Sequence, residues 1–155
     1  MIMEFFIEYT GNSEQRTLTY REDEFSFDME PWVHEIDFEI VINKIALTAV
    51  ESKVIQLSGF CGLNKNMRAD YNVPQSKKGE LKILRSENYP SGVGCYGVNK
   101  NDWPVYVNVQ TGWVCIGEPQ KQGNAVEFIN NCIAVIDDNK EFISLWLKPQ
   151  KLPNL

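Results

Sequence analysis

Histidine is almost missing from this chain: His34 stands alone among 155 residues. Cysteine is scarce, and Cys61, Cys95, Cys115 and Cys132 form no C-x-x-C pair. Zinc needs several His or Cys ligands close together, so no zinc site is expected. The runs Glu22-Asp23-Glu24 and Asp137-Asp138 lack the spacing and glycine turn of a calcium loop, and no metal is expected there either. There is no P-loop, no G-x-S-x-G and no dinucleotide fingerprint; Gly92-Val93-Gly94 is too short for one and opens no amphipathic helix. No cofactor is therefore expected. Long apolar runs are also lacking, none approaching the ~20 residues of a membrane helix. Met1 to Phe6 has neither the cationic region nor the long apolar region of a signal peptide, which predicts a cytoplasmic protein with reduced thiols. Basic charge is in deficit: 15 Lys and Arg face 21 Asp and Glu, a net charge of −6. That balance disfavours a nucleic-acid backbone as partner, because neutralising phosphates needs clustered cations. It suits steering of a basic protein.

What is present points to strands. A length of 155 residues fits one domain spanning residues 1–155 and is enough to bury a proper core. Eight Phe, six Tyr and four Trp favour strands over helices. Residues 5–9 and 16–21 read as short strands, the second with Leu18 and Tyr20 on one face. Ile36, Phe38, Ile40 and Ile42 alternate with Glu35, Asp37, Glu39 and Val41, the pattern of a half-buried strand, and Ile45, Leu47 and Ala49 continue the period. Glu51-Ser52 reads as a hairpin turn into residues 54–60. Residues 64–79 read as a polar loop, 81–84 as a strand and 86–102 as a second loop. Residues 105–109 and 113–116 form a hairpin, and 126–136 with 142–147 a final one. A short helix over 22–33, ended by Pro31, and a helical turn over 126–131 are the only helical signals. The expected fold is mainly β, or α+β with a minor helix: antiparallel sheets, sandwich-like or curved, of about nine to ten short strands.

Charge is unevenly placed. Between Glu22 and Glu39 lie eight carboxylates and no Lys or Arg. Glu35, Asp37 and Glu39 are expected on one strand face, with Glu22, Asp23, Glu24, Asp28 and Glu30 just before them. With Trp32 and Phe25 as aromatic anchors, and Phe27 interleaved with the carboxylates, this segment is the candidate surface for a basic protein. The competing reading is a solvated strand face paired with Lys on a neighbouring strand. For catalysis the one conceivable nucleophile and base are Cys61 and His34. Against them, Cys115 and Cys132 fall inside strands as small core residues, and Cys61 lies beside a glycine where a small buried residue is equally reasonable. Tyr96, Trp103, Tyr106, Trp113 and Trp146 read as core aromatics before they read as a pocket wall, and Lys65, Arg68, Lys77 and Lys78 as a solvated loop.

The stretches Trp103-Pro104-Val105-Tyr106-Val107-Asn108, Thr111-Gly112-Trp113-Val114-Cys115-Ile116-Gly117, Val126-Glu127-Phe128, Ala134-Val135-Ile136 and Leu145-Trp146-Leu147-Lys148-Pro149 resemble a group of small uncharacterised bacterial proteins. The hairpin over residues 45–62 fits the same pattern, so the resemblance covers about residues 45–149. It implies no activity. In size, charge and missing catalytic groups the chain also looks like the immunity proteins encoded beside bacterial toxins. That likeness implies a cytoplasmic inhibitor that covers a basic partner. The alternative function class is a small enzyme whose site is assembled from distant loops, with Cys61, His34 or carboxylates as its groups.

Overall fold

Strands, some alternating apolar with polar residues and others apolar throughout, build the computed structural model, which describes residues 3–85 and 94–155. Fourteen strands form among them: β1 (Met3–Glu8), β2 (Thr17–Arg21), β3 (Ser26–Glu30), β4 (Phe38–Ile42), β5 (Lys44–Val50), β6 (Lys53–Phe60), β7 (Lys77–Lys78), β8 (Glu80–Arg85), β9 (Cys95–Gly97), β10 (Val105–Val107), β11 (Val114–Gly117), β12 (Asn124–Ile129), β13 (Cys132–Ile136) and β14 (Phe142–Leu147). Eight make one sheet, in the order β1-β8-β6-β5-β4-β9 with the β2–β3 hairpin joined to β6 through β3. Six make the other, in the order β10-β11-β14-β13-β12-β7. One of the two sheets curls into a half-barrel. Pairing is antiparallel except for β4 with β9 and β12 with β7.

The fold is mainly β, as expected, and the helical signals are overturned. Residues 22–33 give a turn, β3 and the start of an extended connection, and residues 126–131 lie in β12 and the turn after it. A single 3-10 turn, Lys65–Met67, is the only helical element among the described residues. The strand count also exceeds the expected nine to ten. The apolar period running through residues 36–49 conceals a tight hairpin: Ile42 pairs with Ile45, and Asn43 sits at φ 55° to turn the chain. The expected strand over 126–136 divides in the same way, at Asn131 with φ 64°. Of the loop expected over 86–102, residues 86–93 lie outside the described residues, as does the Gly92-Val93 part of the short glycine motif. Its remainder contains β9.

The two sheets face each other across the main core, which takes Phe27, Phe38, Ile40, Leu47 and Leu57 from one and Val114, Phe128, Ala134, Leu145 and Leu147 from the other. Residues alternating with these on the six-stranded sheet form a second cluster on its outer face: Cys115, Ile133, Val135, Ile143 and Trp146. Tyr71 and Val73 from the loop expected to be solvated pack against it, with Trp113 and Tyr106. This double cover explains why every residue of β13 and β14 is buried. Trp146 is therefore core, and its indole N–H donates to Ser144 Oγ at 3.0 Å.

On the eight-stranded sheet, β6 pairs with β8 at Lys53 and with β3 at Gly59 and Phe60, both along the same edge. The Arg16 side chain serves the stretch between. Its Nε donates to the Ile55 carbonyl at 2.8 Å and its Nη1 to the Pro31 carbonyl at 2.6 Å. Arg16 also ends a chain of alternating charges that runs Glu8, Lys82, Glu80, Lys53, Glu14, Arg16.

The turn between β5 and β6 has two residues, Glu51 and Ser52, at φ 51° and 67°. Two positive φ values define the hairpin turn that favours Asn-Gly, and neither residue present is suited to it. Glu51→Asn combined with Ser52→Gly should therefore raise stability by about 1–2 kcal/mol. In a thermal melt this is an increase of roughly 2–8 °C in the midpoint. A lowered midpoint would mean that one of the two native side chains holds the hairpin.

Candidate docking face

Strict alternation from Val54 would put Phe60 inside. It does not, because β6 carries one residue more than β5 opposes: Thr48 pairs with Gln56 and Ala49 with Val54, leaving Ile55 as the extra residue of a bulge. Val54 and Leu57 consequently face the core, while Gln56, Ser58 and Phe60 stand on the outer face of the sheet beside Thr48, Ala46 and Lys44. Phe60 is 63% exposed there. Its neighbour Gly59 lets β5 approach closely, since a Cβ at Gly59 would collide with the Lys44 carbonyl oxygen.

Ser26 opposes Phe60 across the β3–β6 pair, and the residue before it is Phe25. Four residues, Glu22 to Phe25, connect β2 to β3, with the Glu24 N–H donating to the Arg21 carbonyl at 3.2 Å. Phe25 closes this turn at φ 53°, a left-handed conformation that costs a bulky L-residue about 1–2 kcal/mol. Its carbonyl accepts the Cys61 N–H at 2.8 Å, while the residue is 59% exposed. Phe60 on the outer face and Phe25 in the adjoining turn thus bring two exposed phenylalanines to this end of the sheet. Around them are Glu22, Asp23 and Glu24, all exposed. Arg21 pairs with Asp28 at 3.3 Å and with Glu24 at 3.9 Å. Glu22 and Asp23 form no ion pair with any described residue.

The rest of the acidic segment lies elsewhere. β3 carries the chain about 17 Å away at ~3.4 Å per residue, to Glu30 at the opposite end of the sheet. Residues 31–37 then fold as a strap over the outer face. The strap is fixed by Gln56, whose Oε1 accepts the Val33 N–H at 2.9 Å and whose Nε2 donates to the Val33 carbonyl at 2.6 Å. Trp32, His34 and Glu35 are exposed along it. Asp37 has a structural task, its Oδ2 accepting the Glu51 N–H at 2.6 Å. Glu35 borders a polar hollow of about 460 Å³ whose other charged walls include Glu51, Lys53 and Lys82. Glu39 stands on β4, outward and half-buried, opposite Thr48. The structure thus gathers Glu22, Asp23, Glu24 and Asp28 toward one end. Glu30, Trp32, Glu35 and Asp37 lie toward the other, and Glu39 lies on a strand separated from β3 by β6 and β5. Phe60 carried no sequence signal, because only the bulge turns it out.

The groups considered for catalysis are set apart. Burial pushes the half-buried Cys61 thiol up to about 11, so it is protonated at neutral pH. His34 is exposed on the strap, and no hydrogen bond joins it to Cys61 among the described residues. Burial pushes the Cys115 thiol up to about 12 and that of Cys132 well above its ordinary value. No group of three or more His, Cys, Asp or Glu suited to a metal occurs among the described residues. Lys65, Arg68, Lys77 and Lys78 are exposed. Among the described residues, no helix is long and apolar enough to cross a membrane. No family model, curated protein or solved structure matches the chain.

Proposed function

We propose that the protein is a binding module of the inhibitor type, which covers a basic protein partner with the end of the outer face around Phe25 and Phe60. The observation that carries this reading is Phe25, a bulky ring held exposed by a backbone conformation that opposes folding. What sets Phe25 apart from the other left-handed turn residues is that a large apolar side chain is held there in the open, beside exposed Phe60. Interfaces draw most of their energy from buried aromatics, and surrounding charges set encounter rate and partner choice. The uncompensated Glu22 and Asp23 fit a cationic partner, as does the net charge of −6. The reading places the protein in the cytoplasm, with its cysteines as free thiols. The competing reading, a small enzyme using Cys61 and His34, draws no support from a thiol held near 11.

A photo-activated phenylalanine analogue at position 60, expressed in the cells the protein comes from, should give one discrete adduct with a basic protein. The same analogue at Val109, exposed near the β10–β11 hairpin, should not. With that partner purified, Phe60→Ala should weaken binding by about thirtyfold, the effect of a 2 kcal/mol hot spot. Phe25→Asn should weaken binding while stabilising the fold by about 1 kcal/mol, because Asn tolerates the left-handed region. Replacing Glu22 and Asp23 by Ser should slow association and flatten its salt dependence. Equal capture from positions 60 and 109, or parental affinity in Phe60→Ala, would refute the reading.

A further inference from the structure

A second feature, away from the Phe25–Phe60 end, has the geometry of a small-ligand groove. Tyr9 follows β1 and is 49% exposed. The hydroxyl donates to the Ala125 carbonyl on β12 at 3.1 Å, which tethers the ring in place. Two hollows, of about 390 and 450 Å³, are both lined by Tyr9 and Asn124. Each falls within the size range of small-molecule sites.

The side chains of Gln75, Ser76 and Asn124 border these hollows and make no hydrogen bond to any described residue. At the rim the Phe5 N–H donates to the Lys140 carbonyl at 2.9 Å, and the Ala125 carbonyl takes the Tyr9 hydroxyl. A ligand here meets amides, a hydroxyl and a ring face. Charge is balanced as well, with Lys77 and Lys140 against Asp137 and Asp138.

We propose that this groove binds a neutral oligosaccharide, one sugar ring laying its C–H face on Tyr9 and its hydroxyls meeting Gln75, Ser76 and Asn124. Amides suit sugar hydroxyls because each both donates and accepts. A tethered aromatic avoids part of the ordering cost of binding. The balance of charge fits an uncharged ligand better than a phosphate or a polyamine.

The test is a titration of the full chain, followed by amide NMR, with cellohexaose, maltohexaose and chitohexaose to about 10 mM, a range that captures the weak affinities of single sugar contacts. At least one should shift the amides of Tyr9, Ser76 and Asn124. Tyr9→Ala should weaken that response about tenfold or more, and Tyr9→Phe, which keeps the ring and loses the tether, by less. Gln75→Ala with Asn124→Ala should weaken it also, in a protein whose remaining amide spectrum is unchanged. The proposal fails if none of the three sugars moves these amides, or if Tyr9→Ala responds as the parent does. It fails equally if only an extended Val-Thr peptide binds, since the groove would then serve strand addition.

Discussion

Gln56→Ala should destabilise the protein by about 3–4 kcal/mol, the largest loss expected from any single polar side chain here. Gln56 is 1% exposed on the outer face of β6, where it is bonded to Val33 of the strap. Truncation removes two hydrogen bonds to Val33 and leaves a buried donor and acceptor without partners, at ~1–3 kcal/mol for each group that water does not reach. In a chain of this size each kcal/mol moves the thermal midpoint by roughly 2–4 °C, so a fall of about 6–16 °C is expected. Gln56→Met separates the causes: it keeps most of the volume and loses the pairing, so it should recover little of the deficit. Gln56→Glu adds a pH test. Buried against the Val33 carbonyl, the new carboxyl favours its protonated form, so its folded pKa rises above the unfolded value of about 4.3. Stability near the parent's should then appear below that pH and be lost as pH rises through the folded pKa. Hydrogen exchange at Val33 should accelerate in the Ala and Met variants. If it does not, residues other than Gln56 hold the strap.

Asn43→Ala should cost nearly as much, about 3–4 kcal/mol, for two separable reasons. The Asn43 Oδ1 accepts from Asn99 Nδ2 at 2.7 Å and from the Trp103 N–H at 2.8 Å, and its Nδ2 donates to the Trp103 carbonyl at 3.0 Å. These three bonds tie the β4–β5 turn to residues 99–103, and the Asn43 N–H returns the contact by donating to Asn99 Oδ1 at 3.2 Å. Alanine loses the side-chain bonds and also resists φ 55°. Asn43→Gly loses the same bonds but adopts that φ freely, so it should be about 1 kcal/mol more stable than Asn43→Ala. Equal midpoints for the two in urea denaturation would show that the backbone conformation contributes nothing.

The sequence was informative wherever a strand pairs with its chain neighbour and keeps one face in the core. Leu18 with Tyr20, and Phe38 with Ile40 and Ile42, are buried as their alternation implied. Glu51-Ser52 turns the chain where a hairpin was expected, without the usual glycine. Two kinds of feature were illegible. β7 and β9 are two and three residues long and exist through parallel pairing with distant partners, so no local pattern marks them. The Asn43 turn was hidden because residues 42 and 45 are both apolar and both face the core, which lets the period seem continuous. Tyr71 and Val73 are isolated apolar residues in a polar loop, and only the sheet beneath gives them a role. At the candidate site the acidic residues were visible as a run, but a run in sequence is not a patch in space. β3 carries its two ends apart, and Phe27, an aromatic within that run, is 1% exposed in the core.

The bulge in β6 also sets which changes of chain length the strand can accept. Ile55 has no opposite number on β5, so deleting it would close the ladder into an unbroken register and leave every other side chain on its own face. Deleting any one residue from Gln56 to Gly59 while the bulge persists would invert the remainder of the strand, exchanging solvent-facing and core-facing positions as far as Phe60. Ile55 is thus the one removable residue by pattern, and the cost of its removal falls on Arg16, which would lose the carbonyl that receives its Nε.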